Sequence, residues 1–307
     1  MDQLFINLEK RNSIGEDSYL HIISEEGDKI ITAADFARGL FNVLTGGEPE
    51  AHNMVERGPV VLTDKYSYDD LMAGVADNDF SDIFIGDIIE RDTPAISVTN
   101  FAAKAKAQYA VIGINSLKNH GDTPKLQNKP HLVMIPLDGL GNAYMNATNI
   151  TTGGYKDSYM NTTVMPAVVT ALESAFGANH VLQTREYITN TVTSTVASRA
   201  GLGWQGGSTA GEWSDQKAIL MTELEAYGAT PFSSSAYDNI GLNEQLPGMK
   251  LDRIMNRRFY RWLRSVCYST SFCHVSADGY PNRRPRLGRE CGLPPLRNRI
   301  ITAPCGP

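Results

Sequence analysis

The segment from Arg261 to Asn282 constrains the fold more than any other, because it has the composition of a strand pair. It reads RWLRSVCYSTSFCHVSADGYPN and is rich in hydroxyl and aromatic side chains. Asp278-Gly279 is a strong signal for a two-residue hairpin turn, since both residue types can adopt φ > 0. The sequence therefore predicts a terminal hairpin whose first strand is anchored in the core by Trp262, Leu263 and Val266.

Upstream, short apolar runs alternate with turn residues, and two longer stretches have helical spacing. Three runs have the β-branched character of buried strands: Phe80–Glu90, Ala107–Asn115 and His131–Leu137. The helical stretches are Ser158–Phe176, which stops at Gly177, and Ser214–Tyr227, which stops at Gly228. The order of strands, helix, strand, helix, long loops and terminal hairpin indicates the α+β class rather than a regular βαβ array.

Residues 1 to about 50 form a small unit of their own, within an N-terminal attachment region of residues 1–66. A strand-like run, Lys29–Thr32, leads into Thr32-x-x-Asp35, which resembles a helix capping box with Asp in place of Glu. Four apolar residues then fall on one helical face ahead of Gly46-Gly47: Phe36, Leu40, Phe41 and Leu44. This helix is either a packing element of the fold or a docking element that holds the chain to a larger assembly, and the sequence leaves both interpretations open.

The charge of the chain is unevenly distributed. Of 307 residues, 28 are Lys or Arg and 34 are Asp or Glu, which gives a net charge of −6. Residues 250–307 hold 12 basic against 3 acidic residues (+9), which leaves 16 against 31 (−15) for residues 1–249. This acidic body argues against nucleic-acid binding. No apolar run reaches the length of about 18 residues that a membrane span needs, so no membrane insertion is expected. The N-terminus lacks a secretory signal, which indicates synthesis in a cytoplasm.

No catalytic, metal-binding or cofactor-binding pattern emerges from the chain. Residues 201–206 satisfy G-x-G-x-x-G, but their flanks do not read as a strand and a helix, so a Gly-rich loop is the better interpretation. The six histidines are scattered without metal-ligand spacing. All four cysteines lie in the last 41 residues without C-x-x-C spacing. We interpret them as incidental thiols, with a redox pair of Cys267 and Cys273 as the alternative.

Several short motifs, in their order from about Phe80 onward, resemble a single family. They are the Ile85-Gly86-Asp87 turn, Asn119-His120-Gly121-Asp122, HLVMIP, Tyr144-Met145-Asn146 with TTGGYKDSYM, HVLQTREYITN, Glu212-Trp213-Ser214-Asp215 with LMTELEAYG, Gln245-Leu246-Pro247, and Asn256-Arg257 with WLRSVCYSTSFCHVSADGY. In this order the chain resembles the C-type-lectin-like variable proteins of bacteriophages and prophages, a group that includes tail tropism determinants and targets of diversity-generating retroelements. The resemblance implies a C-type-lectin-like domain over residues 67–282, with a twisted antiparallel sheet, two helices and long loops.

The resemblance further implies ligand binding without catalysis, metal or cofactor, by exchangeable side chains on the terminal strand pair. At the corresponding positions stand Cys267, Tyr268, Ser269, Ser271, His274, Ser276, Asp278, Tyr280 and Asn282. Their composition agrees with this role, because Tyr gives a large amphipathic contact and the small polar residues adapt their hydrogen bonds. The scaffold of this patch would be Phe272, Val275 and Gly279.

The same resemblance implies a place in the virion after synthesis in the bacterial cytoplasm. The expected ligand is a host-surface protein or glycan, other virion proteins would bind residues 1–66, and a homo-oligomer is compatible with this arrangement. Two alternatives remain at this point. One is an enzyme of the formylglycine-generating group, related to sulfatase-activating oxidases, which uses cysteine or metal chemistry. The other is a structural phage head or tail component without a ligand.

Residues 283–307 depart from the family pattern and are rich in Arg, Pro and Gly. The pattern calls for a closing core strand, and Gly292-Leu-Pro-Pro-Leu cannot serve as a central strand because proline donates no ladder hydrogen bond. The sequence therefore predicts an atypical tail that leaves the sheet without a closing strand. A frameshift near codon 283 is our hypothesis for its origin.

Overall fold

The computed structural model of the chain describes residues 19–24, 27–32, 58–98, 100–193, 198–199, 203–204, 207–234, 236–242, 244–257, 260–282 and 298–302. The chain divides into two compact units, Met1–Ala51 and His52–Pro307. In the first unit, strands β1 (Tyr19–Ser24) and β2 (Gly27–Thr32) form an antiparallel hairpin. The strand predicted at Lys29–Thr32 is confirmed, whereas the helix predicted after it lies outside the described residues.

The second unit includes residues 58–66, which follow the division after Ala51. A 3-10 turn at Leu62–Asp64 buries Leu62 among the apolar residues of this unit. The Val60 N–H donates to Asp87 Oδ1 at 3.0 Å, which ties the same segment to a buried carboxylate. Residues 58–66 are thus packed with the residues that follow them.

A five-stranded antiparallel sheet lies at the centre of the second unit. Its strands, in spatial order, are β10 (Ala218–Leu220), β14 (Asn298–Thr302), β5 (Leu132–Pro136), β4 (Lys104–Ile114) and β3 (Ile88–Thr93). The strands predicted at Ala107–Asn115 and His131–Leu137 are confirmed as β4 and β5. The strand predicted at Phe80–Glu90 begins only at Ile88, because Gly86 turns the chain at φ +92° and donates its N–H to the Val111 carbonyl.

Strand β14 corrects the prediction that the tail supplies no closing strand. It pairs antiparallel with β5, where Ile300 lies opposite Met134, and with β10, where Ala218 lies opposite Ile300. The closing strand comes from the sequence NRIIT, beyond the proline-containing stretch on which the prediction was based. Residues 283–297 and 303–307 lie outside the described part of the chain. The frameshift hypothesis was based on the absence of a closing strand, and β14 removes that basis.

Four α-helices accompany the strands in the described residues: α1 (Tyr68–Ala76), α2 (Met165–Phe176), α3 (Glu223–Tyr227) and α4 (Asp252–Met255). Helix α2 follows a π turn at Met160–Val164 and stops at Gly177, so the helix predicted over Ser158–Phe176 is confirmed. The prediction of one helix over Ser214–Tyr227 is wrong in its first half, which belongs to strands. Thr222 rather than Ser214 caps the helix, through a capping box with Glu225, and Gly228 ends it in the left-handed conformation.

The central strands are buried on both faces, which explains their nearly uninterrupted apolar sequences. Along β4, Tyr109 and Val111 belong to one cluster of buried side chains, together with apolar residues of α1 and α2. The alternate residues Ala110 and Ile112 belong to another cluster, which includes residues of α3 and α4. We call these clusters the first and the second core. The structure is thus a mixed α+β fold with antiparallel sheets and few helices.

A long two-stranded antiparallel pair packs against this arrangement through Ile188 of the first core. Its strands β6 (Thr184–Val192) and β9 (Ser208–Gln216) pair antiparallel, and β7 (Ser198–Arg199) pairs with β8 (Gly203–Trp204). The Gly-rich motif at residues 201–206 contributes β8 to the latter pair. Among the described residues, no helix combines the length and apolar character that crossing a membrane requires.

Candidate ligand-binding surface

The terminal hairpin predicted at Arg261–Asn282 is confirmed as a three-stranded unit. Strands β11 (Arg261–Tyr268), β12 (Ser271–Val275) and β13 (Pro281–Asn282) pair antiparallel in that order. Asp278-Gly279 lies in the turn between β12 and β13, where Gly279 has φ +82°. The turn that joins β11 to β12 lies earlier, at Ser269-Thr270, since Tyr268 pairs with Ser271.

This hairpin is buried on both faces and does not present its strands to solvent. Val266 and Phe272 pack in the first core, whereas Leu263 and Val275 pack in the second. Trp262 is half-buried against the first core, and its indole N–H donates to the Ala143 carbonyl at 3.0 Å. The predicted anchors Leu263 and Val266 and the predicted scaffold residues Phe272 and Val275 are confirmed as core residues, whereas Gly279 is a half-buried turn residue. All five residues of β12 are buried, including the polar ones.

Cys267 and Cys273 form a disulfide across the tip of the hairpin. Their Cα atoms are 5.3 Å apart, and both residues are fully buried in the second core. The interpretation of these two cysteines as incidental thiols is therefore wrong. Sequence spacing could not show the pairing, because it depends on the register of β11 against β12. As a fully buried disulfide sulfur, Cys267 is not accessible to an external ligand.

Three further predicted contact residues, Ser271, His274 and Ser276, are also buried. The two hydroxyl groups are used internally: the Ser271 hydroxyl donates to the Phe272 carbonyl, and the Ser276 hydroxyl accepts the Tyr280 N–H at 3.1 Å. The His274 ring packs edge-on against Trp262, with 5.7 Å between centroids. Burial lowers the pKa of His274 to about 4, which keeps the ring neutral at pH 7.

The accessible members of the predicted set lie in two separate places. Asp278 and Tyr280 occupy the turn after β12, and Tyr280 is 71% exposed. Ser269 is half-buried in the turn before β12, where the side chain of Tyr268 lies outside the described part of the structure. Five residues of extended chain separate the two turns, a distance of about 16 Å. Asn282 is half-buried on β13, opposite His274. The accessible members with described side chains therefore lie at two separate turns.

A more extensive exposed surface lies beside the hairpin, on residues that the sequence did not single out for binding. Tyr144 is 60% exposed, Ile150 50% and Tyr159 40%. The side chain of Asn146 holds their backbone segments together: its Nδ2 donates to the Ile150 carbonyl at 2.7 Å, and its Oδ1 accepts the Tyr159 N–H at 2.8 Å. We call Tyr144, Ile150 and Tyr159 the aromatic loop surface.

The loop that carries this surface is anchored at several points. Buried Met145 accepts the Met160 N–H on its carbonyl at 3.1 Å, and buried Thr151 donates its N–H to the Ser269 carbonyl at 3.1 Å. Gly154 has φ +61° and comes so close to the Thr189 carbonyl that a Cβ would lie 2.4 Å from its oxygen. The exposed side chains therefore project from a fixed backbone, with little conformational entropy left for a ligand to remove.

One signal in the sequence could have identified this loop. No charged residue occurs from Gly139 to Tyr155, although the chain has a net charge of −6 and residues 1–249 carry −15. An uncharged stretch rich in Gly, Asn and Thr is typical of an ordinary loop, and the sequence does not show that its tyrosines are exposed. Their exposure depends on the anchoring contacts, which join segments far apart in the sequence.

A buried polar network lies beneath the hairpin and fixes β11 from behind. The Asp238 carboxylate accepts the Ser208 hydroxyl, the Val266 N–H and the Ser234 N–H, each at 3.0 Å. Burial raises the pKa of Asp238 to about 7, against the opposing effect of these three donors. The network thus links the hairpin to β9 and to the loop around Ser234.

A second set of buried charges is centred on Arg264. Its Nη2 donates to Glu186 Oε2 at 2.9 Å, and His120 Nε2 lies 2.9 Å from the same oxygen. Burial lowers the pKa of Arg264, with Glu225 opposing that change. These groups lie on strands β6 and β11 and on the loop around His120, so the ion pairs connect distant segments inside the protein and are not open to solvent.

Within the described residues, no three His, Cys, Asp or Glu side chains are placed to hold a metal ion. Comparison of the chain with models of protein families, with curated proteins and with solved structures finds no match.

Proposed function

We propose that the chain is a virion-associated binding protein that recognises a host-surface protein or glycan. In this proposal the second unit is a C-type-lectin-like domain, and the N-terminal region attaches it to other virion proteins. The mixed α+β fold supports the proposal, because its antiparallel sheets and anchored long loops provide a rigid scaffold for exposed side chains. Binding sites commonly occur on loops that such a scaffold positions.

The observation that carries the proposal is the aromatic loop surface. Tyr144 and Ile150 are exposed on a loop whose backbone is fixed by the Asn146 side chain and by the hairpin tip, and Tyr159 is exposed at the start of the following π turn. Exposed apolar groups held together in this way are typical of binding surfaces, and tyrosine is enriched among residues that dominate binding energy. The surrounding Asn and Thr side chains supply adaptable hydrogen bonds.

The experiment uses the purified full chain, labelled with a fluorophore, on intact cells of a panel of bacteria. We expect saturable binding to a subset of the panel. The variant Tyr144→Ala should weaken this binding by about tenfold or more, as truncation of an aromatic binding residue usually does. The matched control is Tyr66→Ala, which removes another exposed tyrosine from a different segment. Tyr280→Ala tests the turn after β12 separately.

Absence of saturable binding to every strain would count against a cell-surface ligand. If binding occurs but Tyr144→Ala and Tyr66→Ala behave alike, the aromatic loop surface is not the site. Loss of binding in Tyr280→Ala alone would show that the binding site is the turn after β12 and not the aromatic loop surface.

Diversification by a retroelement, which the family resemblance implies, has a genetic test. A nearby reverse transcriptase gene and an imperfect repeat of the codons for residues 262–282, differing mainly at adenines, would support it. Burial of Ser271, His274 and Ser276 restricts which positions can vary without disturbing the core. We expect the substitutions to concentrate at Ser269 and Tyr280. A repeat that varies mainly at buried positions, or no repeat at all, would refute this part of the proposal.

A further inference from the structure

The disulfide and the aromatic loop surface meet at the same hairpin tip. Cys267 and Cys273 enclose the turn at Ser269-Thr270, with a sequence separation of 6. The Ser269 carbonyl within this ring accepts the Thr151 N–H, which anchors the loop next to exposed Ile150. The position of the exposed side chain is thus tied to the geometry of the ring.

Ladder hydrogen bonds alone hold this tip weakly. The register of β11 against β12 shifts between Trp262 and Val266 and again between Val266 and Tyr268, so pairing is irregular directly before the turn. Closing a ring of this size reduces the open conformations of the tip by roughly fifty-fold in the chain-entropy account. The disulfide is therefore a local constraint on the carbonyl that anchors the loop, in addition to the packing of Val266 and Phe272 in the first core.

We propose that the Cys267–Cys273 disulfide is a redox switch that controls the order of the aromatic loop surface. With the disulfide formed, the tip holds Thr151 and the surface is fixed. With two thiols in its place, the Ser269-Thr270 turn opens, the Thr151 N–H is released, and the segment around Ile150 loses this anchor while the five-stranded sheet stays folded. Its consequence for ligand binding rests on the proposed function, whereas the conformational change does not.

The chemistry is thiol–disulfide exchange with a low-molecular-weight disulfide. One cysteine thiolate attacks that disulfide, forms a mixed disulfide and releases one thiolate. The second cysteine thiolate then attacks the protein sulfur of the mixed disulfide and releases the other. Two protons leave the cysteines, and two electrons pass to the small disulfide, which becomes two thiols. Bacterial cytoplasm keeps cysteines reduced, and the exterior permits the disulfide, so the surface would become ordered after release from the cell.

The test compares hydrogen exchange of the full chain after treatment with oxidised glutathione or with a trialkylphosphine. Cys291→Ser and Cys305→Ser are present in every sample, so only one cysteine pair can react. Alkylation followed by mass measurement counts the free thiols. In the reduced sample, we expect peptides covering residues 144–152 to exchange about tenfold faster or more. Peptides from β4, residues 108–114, are the internal control and should not change.

A Cys267→Ser/Cys273→Ser variant, which cannot be oxidised, should match the reduced sample under both treatments. Two free thiols after glutathione treatment would overturn the proposal, as would equal exchange of residues 144–152 in both states. Loss of protection in β4 on reduction would also overturn it, because the disulfide would then hold the whole fold and not the loop. No ligand takes part, so failure of the cell-binding experiment leaves this result interpretable.

Discussion

Two buried groups of the hairpin region should give opposite contributions to the pH dependence of stability. Burial raises the pKa of Asp238 from 3.8 to about 7, so the folded protein keeps a proton that the unfolded chain has lost. Its contribution to the free energy of unfolding is full below pH 3.8 and disappears as the pH rises through 7. Burial lowers the pKa of His274 from 6.5 to about 4, so its contribution is full above pH 6.5 and disappears as the pH falls through 4.

The two contributions have similar magnitudes. The folded and unfolded pKa values of Asp238 differ by about 3, which corresponds to about 4 kcal/mol at 1.36 kcal/mol per pH unit. Those of His274 differ by about 2.5, which corresponds to about 3 kcal/mol. Between pH 4.5 and 8 the two nearly cancel. Burial also raises the pKa of Glu223, which tilts the profile further toward lower stability at high pH.

The comparison of wild type with Asp238→Asn isolates one of these contributions. Urea denaturation at several pH values from 4.5 to 8 gives the free energy of unfolding of both proteins. Asn has no proton to release, so the difference between the two profiles should change by about 3 kcal/mol across this range, in the direction of relatively greater stability of the variant at high pH. His274→Phe should change the profile in the opposite sense. If the wild-type and Asp238→Asn profiles run parallel, the Asp238 carboxyl is ionised throughout, and the reasoning from burial fails.

Three further outcomes follow from the packing. Phe176→Ala removes a buried ring that packs edge-on against two tyrosines and should lower the free energy of unfolding by about 3–5 kcal/mol in urea denaturation. Gly248→Ala would place a Cβ 2.5 Å from the Ile112 Cα and should lower the melting temperature markedly, whereas Gly58→Ala, with no atom within 4 Å, should leave it nearly unchanged. A stop codon at position 298 removes β14 and should yield insoluble protein, whereas a stop codon at 303 should not; equal solubility would show that the sheet does not need this strand.

Segments with a continuous local signal could be predicted from the sequence. Strands β4 and β5 are long apolar runs, and helix α2 has helical spacing over several turns before Gly177. The sequence predicts a helix at β10, because Ile219 and Leu220 also fit helical spacing with Leu224. Its extended conformation depends on pairing with β14, about 80 residues later in the chain. A prediction from the spacing of neighbouring residues cannot include that pairing.

Strand β14 escaped prediction for a related reason. It contributes only the isoleucine pair Ile300-Ile301 between polar residues, which is too little apolar sequence to mark a strand. It pairs with β5 on one side and with β10 on the other, so the partner strands determine its conformation. Pro294 and Pro295 disfavour a central strand at their own positions, but they do not prevent a strand that begins at Asn298.

The polar side chains of the terminal hairpin show why composition could not locate the binding surface. A mixture of Ser, His and Tyr is the composition of an exposed contact patch, and it is equally compatible with a hairpin between two cores if the polar groups have internal partners. Here Ser265 accepts the Glu223 N–H and Ser276 accepts the Tyr280 N–H, while burial keeps His274 neutral. Because an unpartnered polar group would cost about 1–3 kcal/mol when buried, such partners decide which face of a polar strand can be interior. Under the proposed function, the hairpin fixes the neighbouring loop that carries exposed Tyr144 and Ile150, while Tyr280 is exposed on the turn of the hairpin itself.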